Sequence, residues 1–154
     1  MAKPIKDFID RLNGTANLDE TLIVRKSNRY FLLNANLKRL IRKDFFYAGT
    51  YLGKIKNGRF FPSFSLLKIL AETEANRIIV DERTEWLFIC GRDVFRRGIT
   101  KVFGSLKKDD YTLILNRHGE CLGFGRLVRD IVDKNGRVVV KNISDIGDFL
   151  RRET

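Results

Sequence analysis

A catalytic site needs a nucleophile with its base, a pair of carboxylates facing one pocket, or a bound metal. The sequence offers few side chains for any of these. His118 is the only histidine and falls in an Arg117-His118-Gly119 turn signal, where a solvated imidazole is expected rather than a base. Cys90 and Cys121 are the only cysteines, and no CxxC pair occurs. With His118 they make three soft ligands, whereas a structural zinc site needs four at close spacing. Cys90 follows the apolar run Trp86–Ile89 and reads as the end of a core strand. Cys121 reads as a small core residue too. A disulfide between them is not expected in a reducing compartment. Asp109 and Asp110 open a strand in this reading, so their side chains point to opposite faces and do not converge. No GxxxxGK[ST] loop is present. The GFG of Leu122–Gly125 is followed by no helical pattern and fails as a dinucleotide fingerprint. Its glycines instead mark a place where backbones, or a ligand, approach closely. No catalytic residue, metal site or cofactor is assigned, and an enzyme is not expected.

The arginines offer a different chemistry. Arg92, Arg96 and Arg97 lie close together, with Lys101 just beyond. A planar guanidinium pairs bidentately with phosphate, so such a cluster suits a nucleic-acid backbone. The spacing predicts a short helix over about Arg92–Arg97, ended by Gly98 in the left-handed conformation. Arg126 and Arg129 follow the GFG strand. Arg151 and Arg152 fall on a last helix, where cations also complement the helix dipole. In the first half, Lys38, Arg39, Arg42 and Lys43 form a second basic group.

Overall charge agrees. Thirty Lys and Arg stand against 19 Asp and Glu, a net charge of +11 over 154 residues. Both halves share it: residues 1–75 hold 14 basic and 7 acidic residues, and residues 76–154 hold 16 and 12. A surface this basic attracts polyanions and releases counterions from a phosphate backbone. Hydrophobic residues make up 44%, including 12 Phe, which is enough for a core and argues against intrinsic disorder. No stretch approaches the roughly 20 apolar residues of a membrane span. Acidic residues interrupt the apolar pattern of MAKPIKDFIDRLNG, which excludes a signal peptide. The basic residues are scattered rather than gathered beside an amphipathic anchor, so a membrane role is not expected. A soluble cytoplasmic monomer is.

The elements that must carry these residues can be read from periodicity. Ile5, Phe8, Ile9 and Leu12 predict a first helix, with Pro4 in its first turn and Gly14 as its stop. Residues 21–24 and 30–33 predict a hairpin turning at Ser27-Asn28-Arg29. A second helix is expected over about Leu37–Asp44, capped by Asn34 or Asn36. Asn57-Gly58 predicts a second hairpin. A third helix follows over about Leu66–Glu74, capped by Ser63 or Ser65. From Asn76 onward short strands dominate: residues 77–81, 101–104, 111–116, 121–128 and 137–141. Turn chemistry at Arg117–Gly119 and Asp133–Gly136 separates them, as in a small barrel or sandwich. The last helix is expected after Ser144 as its cap.

The second half, with IIVDERTEWLFICGRDVFRRGI, YTLIL and LGFGRLV, resembles a PUA domain, an RNA-binding module. The resemblance rests on Gly91, Val94, Gly98 and Ile99 in a G-x-x-V-x-x-x-G-I block and on Leu122–Gly125. The remainder is similar to the nuclear-import-seven family of large ribosomal subunit biogenesis proteins, and more to its archaeal branch. That likeness is carried by Gly49, Thr50, Gly53 and Lys54 in GT-x-x-GK and by DIG-D-F-x-R from Asp145 to Arg151.

The resemblance implies an α+β protein. Its N-terminal α/β domain would hold an antiparallel sheet over residues 1–75, and a PUA pseudo-barrel would cover residues 76–154. It implies binding to pre-ribosomal RNA and association with ribosome assembly factors. PUA domains hold RNA along their first helix and the following strand, which maps to Arg92, Arg96, Arg97, Gly98 and Lys101. The expected function is non-catalytic RNA binding in large-subunit biogenesis, with structured or A/U-rich single-stranded RNA as partner. The location is the cytoplasm, or the nucleus and nucleolus in a eukaryote. The alternative is a PUA-containing accessory or catalytic component of RNA modification. A protein adaptor with incidental charge is a third reading.

Overall fold

A run of apolar residues on one helical face opens the chain, and burial follows it. The computed structural model describes residues 2–15, 18–40, 49–104, 106–132 and 137–153, the last three for backbone alone. Helix α1 (Lys3–Arg11) carries Pro4 in its first turn and buries Ile5, Phe8 and Ile9, with Leu12 fully buried just beyond. Strands β1 (Ile23–Lys26) and β2 (Arg29–Leu32) form the first hairpin, turning at Ser27 and Asn28. β1 begins two residues later than expected. Glu20–Leu22 form a 3₁₀ turn instead, because the Asp19 side chain accepts the Thr21 N–H and caps it.

Helix α2 (Ala35–Leu40) starts two residues earlier than expected. Asn34 is its cap: Asn34 Oδ1 accepts the Leu37 N–H at 2.7 Å. The rest of the segment expected to be helical, to Asp44, lies outside the described residues. Strands β3 (Thr50–Lys56) and β4 (Arg59–Pro62) are joined by Asn57 (φ 51°) and Gly58 (φ 72°), the left-handed pair a two-residue hairpin turn requires. Ser63 caps α3 (Phe64–Ala71) by accepting the Leu66 N–H at 3.0 Å. The four strands form an antiparallel meander in the order β1-β2-β3-β4.

The second half contains β5 (Arg77–Val80), α4 (Glu82–Ile89), β6 (Val94–Phe95), a 3₁₀ turn at Arg96–Gly98, and β7 (Ile99–Phe103). There follow β8 (Tyr111–Leu115), β9 (Cys121–Leu127), β10 (Val138–Asp145) and α5 (Ile146–Glu153). The sheet order is β6-β10-β9-β8-β5-β7, with β5 and β8 parallel and the other pairs antiparallel. β6 and β7 are the two edges of this sheet, yet three residues join them. Laid flat, six strands would separate those edges by roughly 24 Å. Three residues reach about 10 Å at most. The sheet must therefore curl until its edges meet, and the result is a pseudo-barrel whose seam is Arg96–Gly98.

Five sequence expectations are corrected here. The helix lies at 82–89, not 92–97: Asp81 accepts the Thr84 N–H at 2.7 Å as N-cap, and Gly91 (φ 91°) ends it. The Trp86–Ile89 run is thus helical, and Cys90, its C-cap, is exposed rather than core. Gly98 is not left-handed. It is glycine because a Cβ there would run into the Thr84 hydroxyl. The cap of α5 is Asp145, whose carboxylate accepts the Asp148 N–H at 2.9 Å; Ser144 still belongs to β10. Asp109 sits in a turn at φ 75°, and β8 begins only at Tyr111.

Strand alternation builds two cores from one strand. On β8, Leu113 and Leu115 join α1, α3 and the first sheet, while Ile114 faces the barrel interior with Phe88, Val94 and Leu127. The first core also takes Phe124 and Phe149, so both halves share it. Buried Asn76 ties the junction. Its N–H donates to Leu12 O at 2.7 Å, its carbonyl accepts Leu113 N–H at 2.9 Å, and its amide donates to Tyr111 O at 3.1 Å. Cys121 is buried, as expected.

Candidate nucleic-acid interface

The barrel seam gathers one group of the arginines. Arg96 and Arg97 occupy the turn between the sheet edges, and the backbone holds it on both sides. Arg96 N–H donates to Arg137 O at 3.0 Å, and Gly98 O accepts the Asp81 N–H at 2.9 Å. The Arg96 side chain is half-buried; its Nε is buried and has no hydrogen-bond partner among the described residues. Arg97 is exposed, its guanidinium 5.4 Å from the centroid of the Phe95 ring. Arg92 is exposed in the loop between α4 and β6. Asn142 holds that loop: its side-chain amide donates to Phe88 O at 2.9 Å and to Arg92 O at 3.4 Å, and its N–H donates to Asp93 Oδ1 at 2.9 Å. Lys101 is exposed on β7, opposite Ile79. Gly98 is buried at the end of the turn.

Sequence reasoning missed Arg137. It is exposed, and the pairing of Val138 with Phe95 brings it beside Arg96. Only the β6–β10 register reveals this.

The other sequence-predicted residues lie elsewhere. Arg126 is half-buried on β9, paired with Asp109 at 3.0 Å, and faces a separate groove. Arg129 is half-buried beyond the end of β9. Arg151 and Arg152 lie on α5, and their side chains fall outside the described residues. On α2, Lys38 donates to Thr21 O and Arg39 to Asn36 Oδ1, both from exposed positions. Arg42 and Lys43 lie outside the described residues. His118 is exposed in its turn. Among the described residues no three His, Cys, Asp or Glu side chains come together as a metal site would need, and no helix is long and apolar enough to cross a membrane.

A six-stranded pseudo-barrel with a helix between its first strand and its seam, preceded by a four-stranded α/β unit, defines a PUA-domain protein. A family model described as the UPF0113 PUA domain matches residues 76–154. A UPF0113 protein of Archaeoglobus fulgidus is 32% identical over 113 residues, covering 70% of this chain and 63% of the relative. The chain belongs to the UPF0113 family. It spans less than two thirds of that curated relative's length.

Two solved structures share the architecture. A conserved PUA-domain protein of Thermoplasma acidophilum aligns with TM-score 0.61 at 18% identity, over 96% of this chain and 91% of that one. A hypothetical protein of Pyrococcus horikoshii aligns with TM-score 0.63 at 18% identity, over 99% and 95%. At this identity the likeness shows the fold. The α+β class and the pseudo-barrel expected from sequence are therefore found.

Proposed function

We propose that this protein is a non-catalytic RNA-binding factor of large ribosomal subunit biogenesis, as in the nuclear-import-seven proteins it resembles. It grips pre-ribosomal RNA with the seam of its PUA barrel and works in the cytoplasm beside other assembly factors. The observation that carries this reading is the seam itself. Arg96 and Arg97 sit on a turn fixed by hydrogen bonds on both sides, with Arg92, Lys101 and Arg137 around it. The exposed Arg92, Arg97 and Lys101 present donors that a phosphate oxygen can reach. The family's description as a PUA domain supports RNA as the polyanion. The N-terminal half, with Lys38 and Arg39 exposed on α2, docks a partner or adds RNA contact.

Filter binding with structured and A/U-rich single-stranded RNA tests the reading. Affinity should fall by about a decade or more between 50 and 200 mM salt, as expected for several phosphate contacts. Replacing Arg92, Arg96 and Arg97 with Ala should weaken binding and flatten the salt slope by about one unit for each phosphate no longer neutralised. No detectable binding at low salt would overturn RNA binding altogether. Cross-linking in cells that maps to RNAs other than large-subunit precursors would overturn the ribosomal assignment alone.

A further inference from the structure

On another part of the molecule, α1, the β3–β4 hairpin and strands β8–β10 enclose an open groove of about 760 Å³. Its aromatic lining is Phe8, Phe60, Phe61, Tyr111 and Phe124. Five cations line it as well: Lys3 and Arg11 from α1, Arg59 from the hairpin, Arg126 from β9 and Lys141 from β10. Asp7 is the one carboxylate among its lining residues. Asp109, which pairs with Arg126, is adjacent.

Register arranges part of this lining in a row. Tyr111 pairs with Arg126, and Arg126 with Lys141, across three adjacent strands. Direct cross-strand partners point to the same face. One ring and two cations therefore stand side by side, about 4.8 Å apart from strand to strand. The Arg11 guanidinium lies over the Tyr111 ring at 3.6 Å from its centroid and donates to the Tyr111 hydroxyl at 2.6 Å. This is a planar cation stacked on an aromatic surface, with Arg11 itself exposed.

We propose that this groove is a second RNA subsite that takes unpaired nucleotides of a single strand. The bases lie against the half-buried rings of Phe60, Phe61 and Tyr111 and continue the Arg11–Tyr111 stack, and the phosphates lie on the cationic rim. This rests on the reading of the protein as RNA-binding, but not on the seam as its contact surface. Aromatic platforms beside a positive groove are how single strands are held without sequence preference. In a duplex the bases are already stacked on each other and cannot reach the floor. An acidic peptide would use the rim but would leave the planar stack unused.

The test uses the full chain and a single-stranded RNA oligonucleotide carrying 2-aminopurine, whose fluorescence falls on stacking. Arg59 and Lys141 are exposed and their side chains make no hydrogen bond or ion pair among the described residues, so R59E/K141E should leave the fold intact, as a thermal melt will check. The wild type should quench the fluorophore. R59E/K141E should lose about tenfold or more in affinity and much of the quenching at saturation. R96A/R97A should bind more weakly but quench as fully once saturated. A duplex of the same length should lose much less affinity in R59E/K141E than the single strand does. Unchanged affinity and quenching in R59E/K141E, with weakened binding in R96A/R97A, would sink the groove and leave the seam standing. Loss in R59E/K141E with R96A/R97A unaffected would uphold the groove and overturn the seam. Tighter binding of a polyglutamate peptide than of RNA, abolished in R59E/K141E, would make the groove a protein-docking site and overturn the proposal.

Discussion

Gly98 packs its backbone directly onto the Thr84 side chain: a Cβ built on Gly98 would fall inside the Thr84 hydroxyl and stand 3.0 Å from Thr84 Cβ. This packing pins the seam to helix α4. Gly98→Ala should therefore destabilise the protein by about 1–3 kcal/mol, the range of overpacking in a filled site. Thermal unfolding reads this directly. Adding Thr84→Ala removes the hydroxyl and should recover part of the loss. No recovery would mean that the strain lies elsewhere.

Asn142 should couple stability to RNA affinity. Its amide holds Phe88 O, Arg92 O and the Asp145 carboxylate (3.1 Å) together. Asn142→Ala leaves these acceptors without their shared donor and should cost about 1–3 kcal/mol. It should also weaken RNA binding, because the Arg92 loop loses its anchor. Denaturant melts and filter binding on the same variant separate the two effects. Full affinity at full stability would refute both.

Arg11 and Tyr111 join the two halves of the chain. Arg11 donates to the Tyr111 hydroxyl and to Asp109 O at 3.0 Å while stacking on the ring. A double-mutant cycle with Arg11→Ala and Tyr111→Leu should give a coupling of about 0.5–1 kcal/mol, as for an exposed cation over an aromatic face. A coupling near zero would show that the stack contributes nothing to holding α1 on the barrel.

The two cysteines should differ sharply. Cys90 is exposed and should react with a thiol reagent in the native protein. Burial raises the Cys121 thiol to about 11, so it stays protonated and unreactive at neutral pH. An unfolded thiol titrates near pH ~8.5. The folded state therefore holds this proton more tightly, and the resulting stability is full below the unfolded value and lost as pH rises through about 11. The loss is on the order of 3 kcal/mol. Melting temperatures between pH 8 and 11 should fall less in Cys121→Ala than in the wild type. Parallel curves would remove the thiol from the account.

Local chemistry was readable where one short segment decides its own shape. Asn57-Gly58 can supply both left-handed residues of a hairpin turn, and Ser63 can cap a helix, whatever lies around them. The Trp86–Ile89 run misled because four consecutive apolar residues carry no period, so strand and helix look alike. The Asp81 cap was the signal that could have resolved it. Gly98 misled for a different reason: its lack of side chain answers a neighbour in space, not its own dihedral angle. Arg137 and the row Tyr111–Arg126–Lys141 are set by strand register, which no spacing in the chain discloses.

The curled sheet has a consequence for the order of synthesis. β6 has one strand neighbour, β10, and Val138 of that strand pairs with Phe95. A nascent chain therefore displays Arg96 and Arg97 well before the strand that fixes them exists. Until β10 is in place the seam cannot close, and the arginine turn is loose cationic chain. The turn acquires its fixed geometry only in a chain whose tenth strand has been made.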